Sequence, residues 1–151
     1  MTLRNALVLA CLFNSAFAAQ ASDRLILSEG NWDLRRSEDQ SSSAQSCVLR
    51  PKTPSRIQVT HDRMDVTGMP KNSIFNYQYR VDDGPASTPV FPSEAMQTSG
   101  KVSIEGDDFR ALVGGKRFRI RILDRWHDAI TEDVDLTGLK EVYAQMTEQC
   151  K

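Results

Sequence analysis

A chain of 151 residues and 17.0 kDa has room for one domain, not for multidomain machinery. Its 19 Lys and Arg face 20 Asp and Glu, and a formal net charge of -1 argues against the basic surface of a nucleic-acid binder. With 40% apolar residues, 26% charged residues and a mean hydropathy of -0.43, the composition is that of an ordinary globular protein.

The chain opens as an address. Arg4 supplies a positive start, Ala6 to Phe13 is an uninterrupted apolar run, and Ala16-Phe17-Ala18 offers small residues where a signal peptidase inspects the chain. The run is too short for a bilayer, which needs roughly 20 residues. A secretory signal peptide over residues 1–18 is expected, cleaved after Ala18, with Ala21 as the second choice. A competing reading makes Cys11 a lipoprotein cysteine, but Leu9 is bulky where such sites carry small residues, and the apolar core continues through Leu12 and Phe13. No later segment is apolar enough to cross a membrane, so the expected location is periplasmic or secreted.

Losing the leader removes Arg4 and Cys11, leaving 18 basic against 20 acidic side chains and two cysteines, Cys47 and Cys150. In an oxidising compartment such a pair is expected to form a disulfide. A reactive or metal-binding thiol pair lacks the supporting Cys-x-x-Cys spacing or a flanking histidine.

Residues 19–151 read as a single domain of short strands closed by a helix. Residues 24–27 and 32–34 are strand candidates around the turn Glu29-Gly30-Asn31. Ser37 to Ser46 is polar and reads as a loop, Cys47 to Leu49 opens the next strand, and Pro51 and Pro54 end it. Ile57/Val59 and Met64/Val66 form a hairpin about His61-Asp62. Ile74 to Val81 has strict period two, with Phe75, Tyr77, Tyr79 and Val81 on one face. Asp82-Asp83-Gly84-Pro85 breaks it. Residues 85–100 read as irregular, with Val90-Phe91 as an edge segment. Val102 and Ile104 mark another strand.

From Asp107 to Gly115 a hairpin and a short helix compete. The helix is preferred because Asp107 or Asp108 as N-cap, Phe109, Leu112 and Val113 as a face, and Gly114 as a stop all agree. Phe118, Ile120 and Ile122 then point inward on a strand whose other face carries Arg117, Arg119 and Arg121. Ile130 to Leu136 returns beside it. Leu139, Val142, Tyr143, Met146 and Cys150 form one helical stripe after Thr137, a candidate cap. The fold class is mostly β: a small antiparallel β-sandwich with a short helix and a C-terminal helix packed on it.

The arginine row invites a phosphate, lipid headgroup or polyanion. The competing reading is a solvated ladder: a turn centred on Trp126 sets Arg119 opposite Asp133, Arg117 opposite Asp135 and Arg121 opposite Thr131. His61 and His127 each precede an Asp, yet adjacent side chains diverge and no nucleophile signature accompanies them. Asp82-Asp83 and Asp107-Asp108 suit a turn and a helix start better than a calcium loop. Trp126, between Arg125 and His127, either anchors a partner or covers the end of the sheet. Phosphate-loop, dinucleotide and metal-ligand motifs are absent from the sequence, so no cofactor is expected.

Trp32, the strand end Tyr77-Gln78-Tyr79-Arg80-Val81-Asp82 and the tail from Phe109 to Cys150 together resemble small periplasmic β-sandwich proteins. These include the VasI-type accessory proteins of type VI secretion and, more distantly, the invasion-associated locus B proteins. The matching positions are Tyr79, Arg80, Asp82, Gly115, Asp135, Leu136, Gly138, Leu139 and Cys150. The resemblance implies an extracytoplasmic, disulfide-linked binding or accessory module rather than an enzyme. The leading expectation is therefore an exported, non-enzymatic module that meets an envelope protein partner through Arg125, Trp126 and His127. Two alternatives remain: an envelope hydrolase or metal-dependent enzyme using His61 and His127, and an anion or lipid-headgroup binder using Arg117, Arg119 and Arg121.

Overall fold

The computed structural model describes residues 22–38 and 45–150; the expected leader, Cys11 and the cleavage site after Ala18 lie outside the described residues. Strands β1 (Ser22–Glu29) and β2 (Trp32–Glu38) pair antiparallel around Gly30-Asn31, with a bulge between Leu25 and Leu27. β3 (Gln45–Pro51) pairs β2 from Trp32↔Pro51 to Glu38↔Gln45. Strand thus takes both ends of the segment expected as loop, Ser37 to Ser46. Cross-strand pairing satisfies backbone groups there despite the polar side chains.

The expected hairpin is β4 (Ile57–Val59) with β5 (Arg63–Val66), in the register Ile57↔Val66 and Val59↔Met64. Two more strands follow before the sheet closes: β6 (Ile74–Val81), which leaves for the second sheet, and β7 (Val102–Glu105), which adds to β5. The first sheet therefore runs β1-β2-β3-β4-β5-β7. The second sheet is β6, β8 (Arg117–Asp124) and β9 (Ala129–Asp135), with β8 in the middle. Both sheets are antiparallel, and they contribute to one buried cluster. Trp32, Leu34 and Leu49 enter it from the first sheet, and Phe118, Ile120 and Ile122 from the second. The mostly β, two-sheet architecture is the one the alternating pattern dictates.

Three helices complete the described chain. α1 (Glu94–Ser99) lies in the stretch read as irregular. Its signals are local: Ser93 Oγ accepts from the Met96 N–H, and Gly100 takes the left-handed conformation that closes the last turn. The segment leading to α1 also covers the free edge of β6, since Val90 and Tyr77 exchange backbone hydrogen bonds of 2.8 and 2.9 Å.

α2 (Gly106–Val113) is the preferred short helix, stopped at Gly114. Its N-cap is Glu105, not Asp107 or Asp108, which fall in the first turn where carboxylates favour the helix dipole. α3 (Leu139–Gln149) buries Leu139, Val142 and Met146, each contributing roughly 1.5–3 kcal/mol of apolar burial. Its cap position is Gly138 rather than Thr137. Gly138 has φ +86°, and its Cα comes so close to Gly30 that a Cβ on either glycine would sit 3.1 Å from the other's Cα. The β1–β2 turn therefore abuts the start of α3, where a side chain has no room.

Cys47 in β3 is bonded to Cys150 at the end of α3, with Cα atoms 6.1 Å apart, closing a separation of 103 residues.

Candidate interaction surface

Asp124 builds the β8–β9 turn. Its Oδ1 accepts from the N–H groups of Trp126 (2.8 Å) and Asp128 (2.9 Å), and its backbone N–H donates to the Asp128 carbonyl. An aspartate at the start of a turn does this because its short side chain mimics a backbone acceptor. The Arg125 N–H donates to Ser73 O at 2.8 Å, which pins the turn to the entry of β6. His127 takes φ +66° to close the loop. The result presents Trp126 outward at 72% exposure, so it does not cover the end of the sheet.

Two further aromatics join this tip. Phe75 is the extra residue of a bulge between Ile74 and Asn76 in the β6–β8 pairing. Strict alternation puts Phe75 on the face of Tyr77; the bulge breaks that phase, so Ile74 and Tyr77 are buried while Phe75 is 41% exposed. Its ring meets Phe91 edge-on at 6.1 Å and His127 at 5.4 Å. Phe91 is itself 68% exposed. Such edge-on contacts hold the rings in one arrangement at roughly 0.5–1.5 kcal/mol each. The three residues expected to form a contact surface, Arg125, Trp126 and His127, are all exposed at this turn. Phe75 and Phe91 are additions. The position of Phe91 between Pro89 and Pro92 is a sequence signal for an exposed edge; Phe75 carries no such signal, because only the bulge exposes it.

The arginine row occupies the outer face of the same sheet. The registers Arg117↔Asp135, Arg119↔Asp133 and Arg121↔Thr131 are those the turn centre implies. The ion pairs nonetheless depart from a straight ladder. Arg117 reaches diagonally to Asp133 with both Nε (2.7 Å) and Nη2 (2.6 Å). These bonds hold the Asp133 carboxyl below the usual carboxylate range and raise the Arg117 guanidinium. Asp135 instead accepts from the Thr137 N–H at 2.8 Å, and hydrogen bonding from Thr137 holds its carboxyl low. Arg119 is left with Nε 3.3 Å from Asp133 Oδ2, close enough for an ion pair but without hydrogen-bond alignment. Arg80 on β6 stands directly opposite Arg119, a neighbour that no local pattern reveals because the β6–β8 pairing spans distant parts of the chain.

Asp82, expected as a turn residue, also fixes the start of β8: its Oδ1 accepts from the N–H groups of Lys116 and Arg117. His61 sits at the β4–β5 tip. Its Nε2 donates to the Cys150 carbonyl at 3.0 Å, and its own carbonyl accepts from the Tyr143 hydroxyl at 2.6 Å. His61 also borders a groove of about 550 Å³ with Asp62, Glu105, Phe109, Arg110 and Tyr143. His127 contacts Phe75 on the second sheet, so the structure does not bring the two histidines into one site. Among the described residues, no group of three His, Cys, Asp or Glu side chains is arranged to hold a metal ion. Among them, too, no helix is long and apolar enough to cross a membrane.

Comparison with protein-family models, curated proteins and solved structures found no match to this chain. The chemistry of its surfaces therefore carries the functional argument.

Proposed function

We propose that this protein is an exported, disulfide-tied binding module that acts by contact with a protein partner rather than by catalysis. The observation that carries the reading is the aromatic tip: Trp126, Phe91 and Phe75 are all exposed and held by an ordered turn, a bulge and edge-on ring contacts. Large aromatics presented on a rigid support lose little conformational freedom on binding, and Trp and Tyr with Arg dominate the energetics of protein contacts. The leader-like start of the chain and the Cys47–Cys150 bond support export to an oxidising compartment. The sequence resemblance to VasI-type accessory proteins points in the same direction.

The test is capture of partners from a cell-envelope fraction by the oxidised protein and by Trp126→Ala/Phe91→Ala. A specific partner retained by the parent and lost by the variant is expected. Equal capture by both would remove the aromatic tip from the interface. Intact mass of native material should show a shortened chain with Cys47 and Cys150 oxidised; a full-length reduced chain in the cytosol would overturn the export reading.

A further inference from the structure

We propose that the outer face of the β6–β8–β9 sheet binds a compact oxyanion, a phosphate or sulfate group, in the groove bounded by Arg80, Arg119 and Arg121. The groove is about 250 Å³ and is edged by Gln78, Ala86 and Thr131 as well as by these three cations; among the described residues, no carboxylate lines it.

Three observations converge there. Arg80 and Arg119 are cross-strand partners, so two like charges are held side by side, an arrangement that costs stability unless something negative joins them. Arg121 has Gln78 on one flank and Thr131 on the other, so its cross-strand neighbours offer no acid. Asp133 is the acid that could neutralise the row, and Arg117 already engages both of its oxygens. Arg119 Nε is thereby left with an ion pair to Asp133 Oδ2 at 3.3 Å but no aligned hydrogen-bond acceptor among the described residues. Buried donors are almost always satisfied, and one that shares a misaligned carboxylate with Arg117, beside Arg80 and Arg121, has a use for a second acceptor.

Guanidinium forks match the spacing of phosphate and sulfate oxygens, and three of them on a rigid sheet need little reorganisation to receive one. The buried carboxylate of β5, Asp65, makes no such demand. Asp65 is satisfied by Ser103 Oγ at 2.6 Å and by Arg63 and Lys101 at 3.3 Å. The oxyanion can arrive free in solution or as a phospholipid headgroup, since the recognising chemistry is the same. The site stands apart from the aromatic tip and does not depend on the partner proposed for it.

The experiment titrates the purified oxidised protein with inorganic pyrophosphate by calorimetry, and in parallel measures sedimentation with phosphatidylcholine vesicles with and without phosphatidylglycerol. Binding in at least one arm is expected, weakening as sodium chloride is raised. Pyrophosphate binding assigns a free anion; binding confined to phosphatidylglycerol vesicles assigns a headgroup. In either case Arg80→Gln/Arg121→Gln should weaken binding about tenfold or more, whereas Arg110→Gln, which removes one charge on α2, should not. Thr131→Asp sets a carboxylate beside Arg121 without deleting any arginine and should produce the same loss. No binding in either arm, or equal binding by the Arg80→Gln/Arg121→Gln and Arg110→Gln proteins, would overturn the assignment.

Discussion

Trp32 in β2 donates its indole N–H to the Asp135 carbonyl at the end of β9, 3.2 Å away, and so ties the larger sheet to the smaller one. The ring is completely buried, whereas the second tryptophan of the chain, Trp126, stands in solvent. The two should therefore answer the same substitution in opposite ways. Trp32→Ala is expected to lose about 3–5 kcal/mol of stability. Trp126→Ala should stay within about 0.5 kcal/mol of the parent. Urea unfolding followed by far-ultraviolet circular dichroism separates the two, and a large loss in Trp126→Ala would mean that its ring has a structural contact.

Gly138 and Gly106 both have positive φ, but only Gly138 has a neighbouring backbone against it. Alanine at Gly106 should cost about 1–2 kcal/mol from conformation alone. Alanine at Gly138 should cost more, because Gly30 must also move. Matched chemical unfolding of the two variants isolates the steric part, and equal losses would show that the β1–β2 turn yields freely.

Removing one of the facing arginines should stabilise the protein. Arg80→Gln relieves the juxtaposition with Arg119 and is expected to gain about 0.2–1 kcal/mol. The gain should appear as a higher urea midpoint with an unchanged slope, and should shrink in salt. A lower midpoint would mean that Arg80 makes a stabilising contact of its own.

Asp133 makes stability depend on acid. Its carboxyl is held below the usual carboxylate range in the folded protein, with the Arg117 hydrogen bonds as the first cause. A carboxyl depressed by folding stabilises fully above its unfolded pKa, and that contribution fades as the pH falls through the lower folded value. Parent and Asp133→Asn should therefore differ in urea midpoint near neutral pH and draw together as acid titrates the carboxyl below its unfolded range. A difference independent of pH would place the effect in packing.

Replacing Cys47 and Cys150 together by Ser frees a chain that is otherwise closed over 103 residues. Chain entropy assigns such closure about 4–5 kcal/mol. The double variant should unfold at a correspondingly lower urea concentration, and an unchanged midpoint would show that helix packing and the His61 and Tyr143 contacts suffice without the bond.

Local features are the legible ones. The β8–β9 register can be derived residue by residue because Asp124 and Asp128 bound a short turn, and period-two strands such as Phe118-Ile120-Ile122 declare their buried face. Side chains that choose among near neighbours cannot be derived. Arg117 crosses diagonally to Asp133, while Asp135 accepts from the Thr137 N–H. Non-local pairing is equally hidden, so Arg80 gives no sign of facing Arg119 across a long stretch of sequence. Phe75 is misplaced by simple alternation because one inserted residue reverses the phase of everything before it. The two mistaken helix caps share a cause: the expected Asp and Thr are good capping chemistry, but Gly106 and Gly138 meet backbone demands at those ends that side chains cannot.

The bond between Cys47 and Cys150 encloses everything from β3 to α3 and leaves β1 and β2 outside the covalent ring. Pulling on the N-terminal strand can therefore strip β1 and then β2 without opening the loop that the bond closes, and whatever unravels inside that loop stays leashed to β3.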